Sequence, residues 1–541
     1  MRRIGVSVLL VLLLATLVGF VVHRHVALPG AGPEDASAEG SDDGAPTDGS
    51  ASGGEASEGT SEVDEHGSEP ATESGSATSA TGTEPATESG STEAAPATTE
   101  TGTAETPSGQ GAEPTPSDEG TTAPPTPPPL DRPLRVVSTS WEVATPVLLA
   151  AGGSSTIDGS ILSREQLAVE VRVSTRTTEL EEALARGGSE ANGADVAIVP
   201  LATWVGSYEH LAALETEVFF VAAWSRGSEV LFASPSATPA ERVPASFAIA
   251  GTRGAPESLT ALLLLSEMGV APDHVRFTAS DDLDALLATA EREGPDAELR
   301  ARNRVPWLST ADASHLAPWV IVAPRGFVRA HQPALVALSS AWLEGMAQLA
   351  SDVPGAARTI AAIPGAPPLV DLLRRLGQIE SIGLREQAEL AGLSGRSYVT
   401  LETLFRRAWS IERAIGVLSG PPPETLPIAT GTIASLVRRE VPAPVEHPPF
   451  RAAPEPRVIV TVPLALPRSS RDAAAGDAIV AHIGFAAGVF PRSGLRLVGP
   501  RDRSAALRAL ADRAIEQYGL DASRLEITTG TSAALRVLAP E

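Results

Sequence analysis

Residues 31 to 130 carry twenty-one Asp and Glu, no Arg and no Lys, and almost no large aliphatic or aromatic side chain. A stretch built from Ser, Thr, Gly, Ala, Pro and Glu cannot bury enough apolar surface to offset the entropy of ordering it. It is expected to be disordered, so any folded core has to be sought beyond it. The octapeptide Glu-Pro-Ala-Thr-Glu-Ser-Gly-Ser occurs at 69 to 76 and again at 84 to 91, which in this composition reads as slippage within a linker. A flexible coil of this length has an end-to-end distance of about 55 Å. The Pro-rich stretch Ala123 to Pro129 is expected to be stiffer.

Most of the formal net charge of -26 belongs to that tract, and the rest of the 541 residues is nearly balanced. The acidity therefore describes a tether, and nucleic acid is not an expected partner. There is no cysteine, which excludes disulfides, Cys zinc sites and a lipoprotein anchor. Every one of the 41 basic residues is Arg. Without lysine, a Walker A loop, a Schiff-base enzyme and a Ser-x-x-Lys hydrolase are all excluded.

Arg2 and Arg3 precede an uncharged run from Ile4 to Val22, which His23, Arg24 and His25 close. As a helix it spans roughly 28 Å, close to the hydrocarbon thickness of a bilayer. The charge bias places the N-terminus in the cytoplasm and the remainder outside. The segment reads either as an inner-membrane anchor or as a cleaved secretory signal, and both export the rest to the periplasm.

The expected organisation is an anchor or signal at 1–30, the acidic linker at 31–132, a folded domain at 133–440, a Pro-rich linker at 441–456 and a small domain at 457–541. In the first domain, strands read at Leu134–Ser138, Leu167–Ser174, Val196–Pro200, Val218–Ala223, Ser246–Ala250, Val275–Ala279 and Trp319–Ala323. Helices are expected over Thr177–Ala185, Pro256–Met268, Asp281–Glu293 and His331–Ala350, with an almost wholly helical pattern after 355. The alternation predicts an α/β fold with mostly parallel sheets.

The order of four motifs carries a family resemblance. Arg135-Val-Val-Ser-Thr-Ser-Trp141 opens a first lobe and Gly193-Ala-Asp-Val-Ala-Ile-Val-Pro200 ends a strand in it. Phe247-Ala-Ile-Ala-Gly-Thr-Arg-Gly-Ala-Pro-Glu-Ser258 opens a second lobe, and Val320-Ile-Val-Ala-Pro-Arg-Gly-Phe327 starts the return. In this order the chain resembles type 2 periplasmic solute-binding proteins, the sulfonate, taurine and thiamine-precursor receptors of ABC transporters. The resemblance implies a two-lobed fold, with lobe I at about 133–220 and 325–440 and lobe II at about 230–320. It also implies a small-solute ligand and an ABC permease as a partner.

In such a fold, strand ends and helix N-termini face one cleft, where free backbone N–H groups attract anions. Candidate ligand contacts are Ser138, Thr139, Ser140 and Trp141 after the first strand, and Thr252, Arg253, Gly254 and Ser258 in the second-lobe loop. Arg253 offers a bidentate contact to a carboxylate, sulfonate or phosphate. The competing readings are helix capping by the hydroxyls, packing of Trp141 between the lobes, and a loop satisfied by its own polar groups. Neither H-E-x-x-H nor G-x-S-x-G occurs, and no G-x-G-x-x-G opens a helix. No enzyme, metal or cofactor is expected.

The last domain reads as strand Val458–Leu466, helix Arg471–Ala487, strand Leu495–Val498, helix Arg503–Tyr518 and strand Leu525–Thr529. This βαβαβ order resembles the OmpA-like peptidoglycan-binding domain, through Leu495-Arg-Leu-Val-Gly-Pro-Arg-Asp502 and Ala509-Leu-Ala-Asp-Arg-Ala514. The resemblance implies that Asp502 and Arg513 hold the cell wall's diaminopimelate. The family's Gly-His-Thr-Asp has become Gly-Pro-Arg-Asp here, so the structural alternative is a turn Asp and a helical surface Arg. The expected function is a membrane-tethered receptor for a small anionic solute with a wall-associating C-terminal domain. The alternative is a structural or signalling envelope module that binds no ligand.

Overall fold

A computed structural model describes residues 130–174, 176–233, 247–278, 285–289, 304–394, 398–439, 456–467 and 473–540, within one compact unit, Pro116–Glu541. The N-terminal apolar run, the acidic tract and residues 441–455 lie outside the described residues. Among the described residues no helix is long and apolar enough to cross a membrane.

The first sheet begins with β1 (Leu134–Ser138), which pairs in parallel with β2 (Val169–Val173) and β3 (Val196–Pro200). β4 (Thr216–Ser225) is almost wholly buried, as its Val-Phe-Phe-Val-Ala-Ala-Trp run requires of a central strand. A second sheet follows, from β5 (Glu229–Ala233), β6 (Phe247–Ala250), β7 (Val275–Thr278), β8 (Ala285–Thr289) and β9 (Val305–Ser309), in the order β7-β6-β8-β5-β9. The chain then returns through β10 (Pro318–Pro324), antiparallel to both β3 and β4, and β11 (Ile379–Ser381) closes the first sheet in the order β11-β4-β10-β3-β1-β2.

Two connections therefore cross between the sheets, Ser225 to Glu229 and Ser309 to Pro318. They lie side by side: Thr310 Oγ1 accepts from Gly227 N at 2.8 Å and Ser225 N donates to Ala317 O at 3.0 Å. Gly227 takes φ +90°, and a Cβ there would meet the Ala311 Cβ at 3.3 Å, so the close approach favours glycine.

The helices that position the cleft are α1 (Trp141–Ala151), α2 (Thr177–Arg186), α3 (Leu201–Gly206), α4 (Pro256–Glu267), α5 (Gln332–Ser351), α6 (Leu369–Leu376) and α7 (Leu401–Ala414). α1 and α5 pack over the first sheet around Trp342 and Phe220, both fully buried. α7 packs against α3 of the first body and α4 of the second, so one apolar core runs across both.

Residues 456 to 540 form β12 (Val458–Pro463), α8 (Ala473–Val489), β13 (Gly494–Gly499), α9 (Ser504–Tyr518), β14 (Leu525–Thr529) and β15 (Ala534–Leu538), in the sheet order β12-β15-β13-β14. This sheet's core is continuous with that of the second body and α7.

Three expectations change. Both larger sheets are mixed, not mostly parallel, because each crossing brings the chain back against its earlier direction. Residues 285–289, inside the expected helix Asp281–Glu293, form β8 between β6 and β5. A short Ala-Leu-Leu-Ala-Thr run fits a buried strand as well as a helix, and sheet pairing decides it. The C-terminal order is βαβαββ, with β15 inserted antiparallel between β12 and β13.

Candidate functional site

The end of β1 feeds directly into the α1 N-terminus. Ser140 is the N-cap and its Oγ accepts from Val143 N at 3.1 Å, while Ser138 Oγ donates to Ser140 O at 2.9 Å and accepts from Ser140 N at 3.1 Å. Both hydroxyls are buried and committed to that cap. Thr139, between them, has an Oγ1 with no partner. One turn further, buried Glu142 has an unpartnered Oε2.

Thr139 and Glu142 belong to the wall of a cavity of about 170 Å³ between the two sheets. Arg375, from the last turn of α6, and Gln378, just before β11, line it on the first-sheet side. Arg375 Nη1 stands 4.0 Å from Glu142 Oε2, too long for a strong ion pair, and Arg375 Nε has no partner. Gln378 Nε2 donates to Gly227 O at 3.4 Å, and its Oε1 is left without a partner. Leu201, Leu404 and Trp319 supply apolar wall.

The second body contributes Pro256, Thr260 and Leu263 from α4, and the crossing contributes Ser228 and Glu229. Glu229 is held by hydroxyls. Its Oε2 accepts from Ser228 at 2.6 Å, from Thr310 at 2.9 Å and from Ser225. The lining residues thus bring together two carboxylates, one guanidinium and four polar atoms with no partner.

Of the residues expected at a ligand, Thr139 lines this cavity; Ser138, Ser140, Trp141, Thr252, Arg253, Gly254 and Ser258 are not part of its wall. Trp141 is half-buried and packs against the apolar cluster over the first sheet. Arg253 Nη1 donates to Ile415 O at 3.1 Å, and its guanidinium stands 5.9 Å from the Phe277 ring centroid. It fastens the second-sheet body to the segment after α7. Gly251 has φ +129°, and a Cβ there would meet Ser258 Oγ at 2.5 Å, so that hydroxyl lies under the loop. Helix α4, which this loop introduces, is what reaches the cavity.

Glu142 directly follows the quoted Trp141, and an acid at the first helical turn was the available signal for it. Arg375 and Gln378 lie more than 230 residues from β1 and carried no local signal. In the C-terminal unit, Arg513 is ion-paired with Asp477 of α8, and Asp502 lies in a short 3-10 turn, Arg501–Arg503. Among the described residues no cluster of His, Asp and Glu fits a metal ion.

No family model matches the sequence, and no curated protein matches it. Solved structures of low identity do match it. The chain is similar to the putative sulfonate ABC transporter periplasmic sulfonate-binding protein SsuA of Methylobacillus flagellatus KT, at 14% identity and TM-score 0.38 over 57% of this chain and 94% of that one. It is similar to the periplasmic nitrate-binding protein NrtA of Synechocystis PCC 6803, at 11% identity and TM-score 0.36 over 57% of this chain and 85% of that one. A third similar structure is the desulfurization enzyme DSZB, at 12% identity and TM-score 0.35 over 57% of this chain and 99% of that one.

Proposed function

We propose that residues 133 to 440 act as an extracytoplasmic solute-binding domain that takes one small molecule into the cavity between its two sheets. The observation that carries this reading is the cavity of about 170 Å³ between the two sheets, whose wall brings Thr139, Glu142, Arg375, Gln378, Ser228 and Glu229 together with apolar side chains.

The expected anionic ligand finds one guanidinium here, Arg375, in place of the expected Arg253. A cavity near 170 Å³ suits a molecule of a few heavy atoms, since about 150 Å³ holds benzene. The reading extends by sequence to delivery to an ABC permease, to tethering at the inner membrane through residues 4–22, and to wall association through Asp502 and Arg513. Sedimentation of the full chain with purified peptidoglycan, compared with Asp502→Ala, tests the last part; equal pelleting of the two removes it.

One set of contacts favours the second reading, a module that serves as a fixed scaffold in the envelope. Arg253 to Ile415, Arg407 to Glu267 and Arg492 to Glu380 all fasten separate bodies together. Native mass spectrometry of the full chain purified from its own cell separates the two. A retained small mass of one copy per chain supports the receptor, and a ligand-free chain that also binds no solute on titration supports the scaffold.

A further inference from the structure

We infer that the C-terminal unit, residues 456 to 540, is a brace on the hinge between the two sheets, holding the cavity walls at one spacing until it is displaced. What this does to a ligand rests on the solute-binding reading above; the brace itself does not. Two bodies joined by two short connections change their angle by turning the backbone within those connections. Both connections are held from the C-terminal unit. In the Ser309 to Pro318 crossing, His315 N donates to Val489 O at the end of α8 at 3.2 Å, and Asp312 stands 3.6 Å from Arg457, just before β12. The His315 ring stacks on Trp224, with 4.7 Å between centroids and 10° between planes, and Trp224 directly precedes Ser225, where the other crossing begins.

The Ser225 to Glu229 crossing is reached through Glu380 of β11. Arg492 Nη2 donates to both Glu380 carboxylate oxygens, at 3.0 and 2.9 Å, and Arg226 of the crossing stands 3.8 Å from the same carboxylate. Glu380 thus ties the C-terminal unit to the crossing. Val489 O and Arg492 come from one turn after α8, and Arg524 shapes that turn. Its guanidinium donates to Ala487 O at 3.0 Å, to Phe490 O at 2.8 Å and to Ser493 O at 3.1 Å. A cation on the last carbonyls of a helix also suits its dipole. The same end of α8 rests on residues 398–399, just before α7, which packs on both bodies. Contacts from one unit therefore converge on both segments that must turn for the sheets to move apart.

The test reads the spacing of the two bodies in the full chain. The chain has no cysteine, so Arg358→Cys, exposed on the helix Val353–Ala361 of the first body, and Asp273→Cys, exposed before β7 of the second, take a pair of spin labels at unique sites. Exposed ion pairs are weak singly, so both are reversed together: Arg457→Glu with Arg492→Glu sets like charges against Asp312 and Glu380. Label distances from pulsed electron resonance, taken without solute, are expected to be narrowly distributed in the labelled parent and to broaden or split into two populations in the reversed variant. Arg457→Gln with Arg492→Gln, which removes the pairs without new repulsion, is expected to change them in the same sense and by less. Arg186→Glu with Arg496→Glu reverses two exposed pairs that touch neither crossing, and is expected to keep the parent's distribution. Circular dichroism checks that each variant is folded. A parent-like distribution in both brace variants, or a control that broadens as much as they do, overturns the brace. Because no solute is present, that result leaves the solute-binding reading to its own test, and failure of every solute to bind would leave the brace standing.

Discussion

The Arg407 guanidinium lies 4.8 Å from the centre of the Phe485 ring, joining α7 to helix α8 of the C-terminal unit. The same guanidinium pairs with Glu267 at the end of α4 and donates to Ser266 Oγ at 3.1 Å, so one side chain holds three bodies. Glu267 is fully buried, and burial pushes its carboxyl up while Arg407 draws it down. Arg407→Ala leaves that carboxyl without its counter-charge and is expected to cost about 3–5 kcal/mol. Chemical denaturation of the full chain measures it. Arg407→Lys is expected to recover only part of the loss, because an ammonium lacks the planar face that stacks on Phe485. A loss below 1 kcal/mol for the alanine variant would contradict this role.

Helix α8 approaches the 398–399 segment so closely that a Cβ on Gly488 would meet the Tyr398 Cβ and Val399 Cγ2, each at 2.6 Å. Gly488→Val is expected to destabilise the junction by about 1–3 kcal/mol through overpacking. An unchanged unfolding midpoint would show that the two bodies do not depend on this contact.

Stability is expected to fall as the pH rises above the ordinary carboxylate range. Burial lifts Glu412 from 4.5 to about 9, and neither of its oxygens has a hydrogen-bond partner. Burial also raises Glu386 to about 7, against the pull of the Trp224 Nε1 donor at 2.6 Å. For such raised groups the folded chain holds protons that the unfolded chain has released. Their contribution is therefore complete below about 4.5 and is lost through pH 7 for Glu386 and pH 9 for Glu412, at roughly 1.4 kcal/mol per pH unit for each group. Unfolding midpoints from pH 5 to 9 measure the slope. Glu412→Gln is expected to flatten it above pH 7, and an unchanged slope in that variant assigns the effect elsewhere.

Arg132 binds Asp195 through both guanidinium nitrogens at 2.7 Å, and Asp195 also accepts from Arg135 N at 3.0 Å. Asp195 is nearly fully buried beside the start of β1, and its contact with Arg132 raises that guanidinium's pKa. Asp195→Ala is expected to cost about 2–4 kcal/mol by releasing the chain entry at residues 132–135. Amide exchange of β1 measures it, and full protection retained in the variant would contradict it.

The elements most legible in the sequence are those whose environment is set locally. β3 falls at Val196–Pro200 as read, and β4 is legible because a central buried strand must be continuously apolar. α4 is announced by Pro256 at its first turn. β8 and β15 were not legible, since each is a five-residue segment whose strand identity comes from partners far along the chain. The site shows the same division. Thr139 was reachable from the strand-to-helix junction, but the serines flanking it were consumed by capping that helix. Arg253 has the right chemistry for an anion, yet Ile415 O, 162 residues away, takes its Nη1 donor. Arg375 and Gln378 enter only because α6 packs on α1 and β11 pairs with β4, which is a property of the topology and of no motif.

Whether a solute enters the cavity at all decides most directly what residues 133 to 440 do. Calorimetric titration of the full chain is expected to show one small solute bound per chain, weakened at least tenfold by Thr260→Trp, which fills the cavity from α4, while the unfolding midpoint without solute holds. Binding that survives the filled cavity undiminished, or no binding by any solute tested, would contradict it.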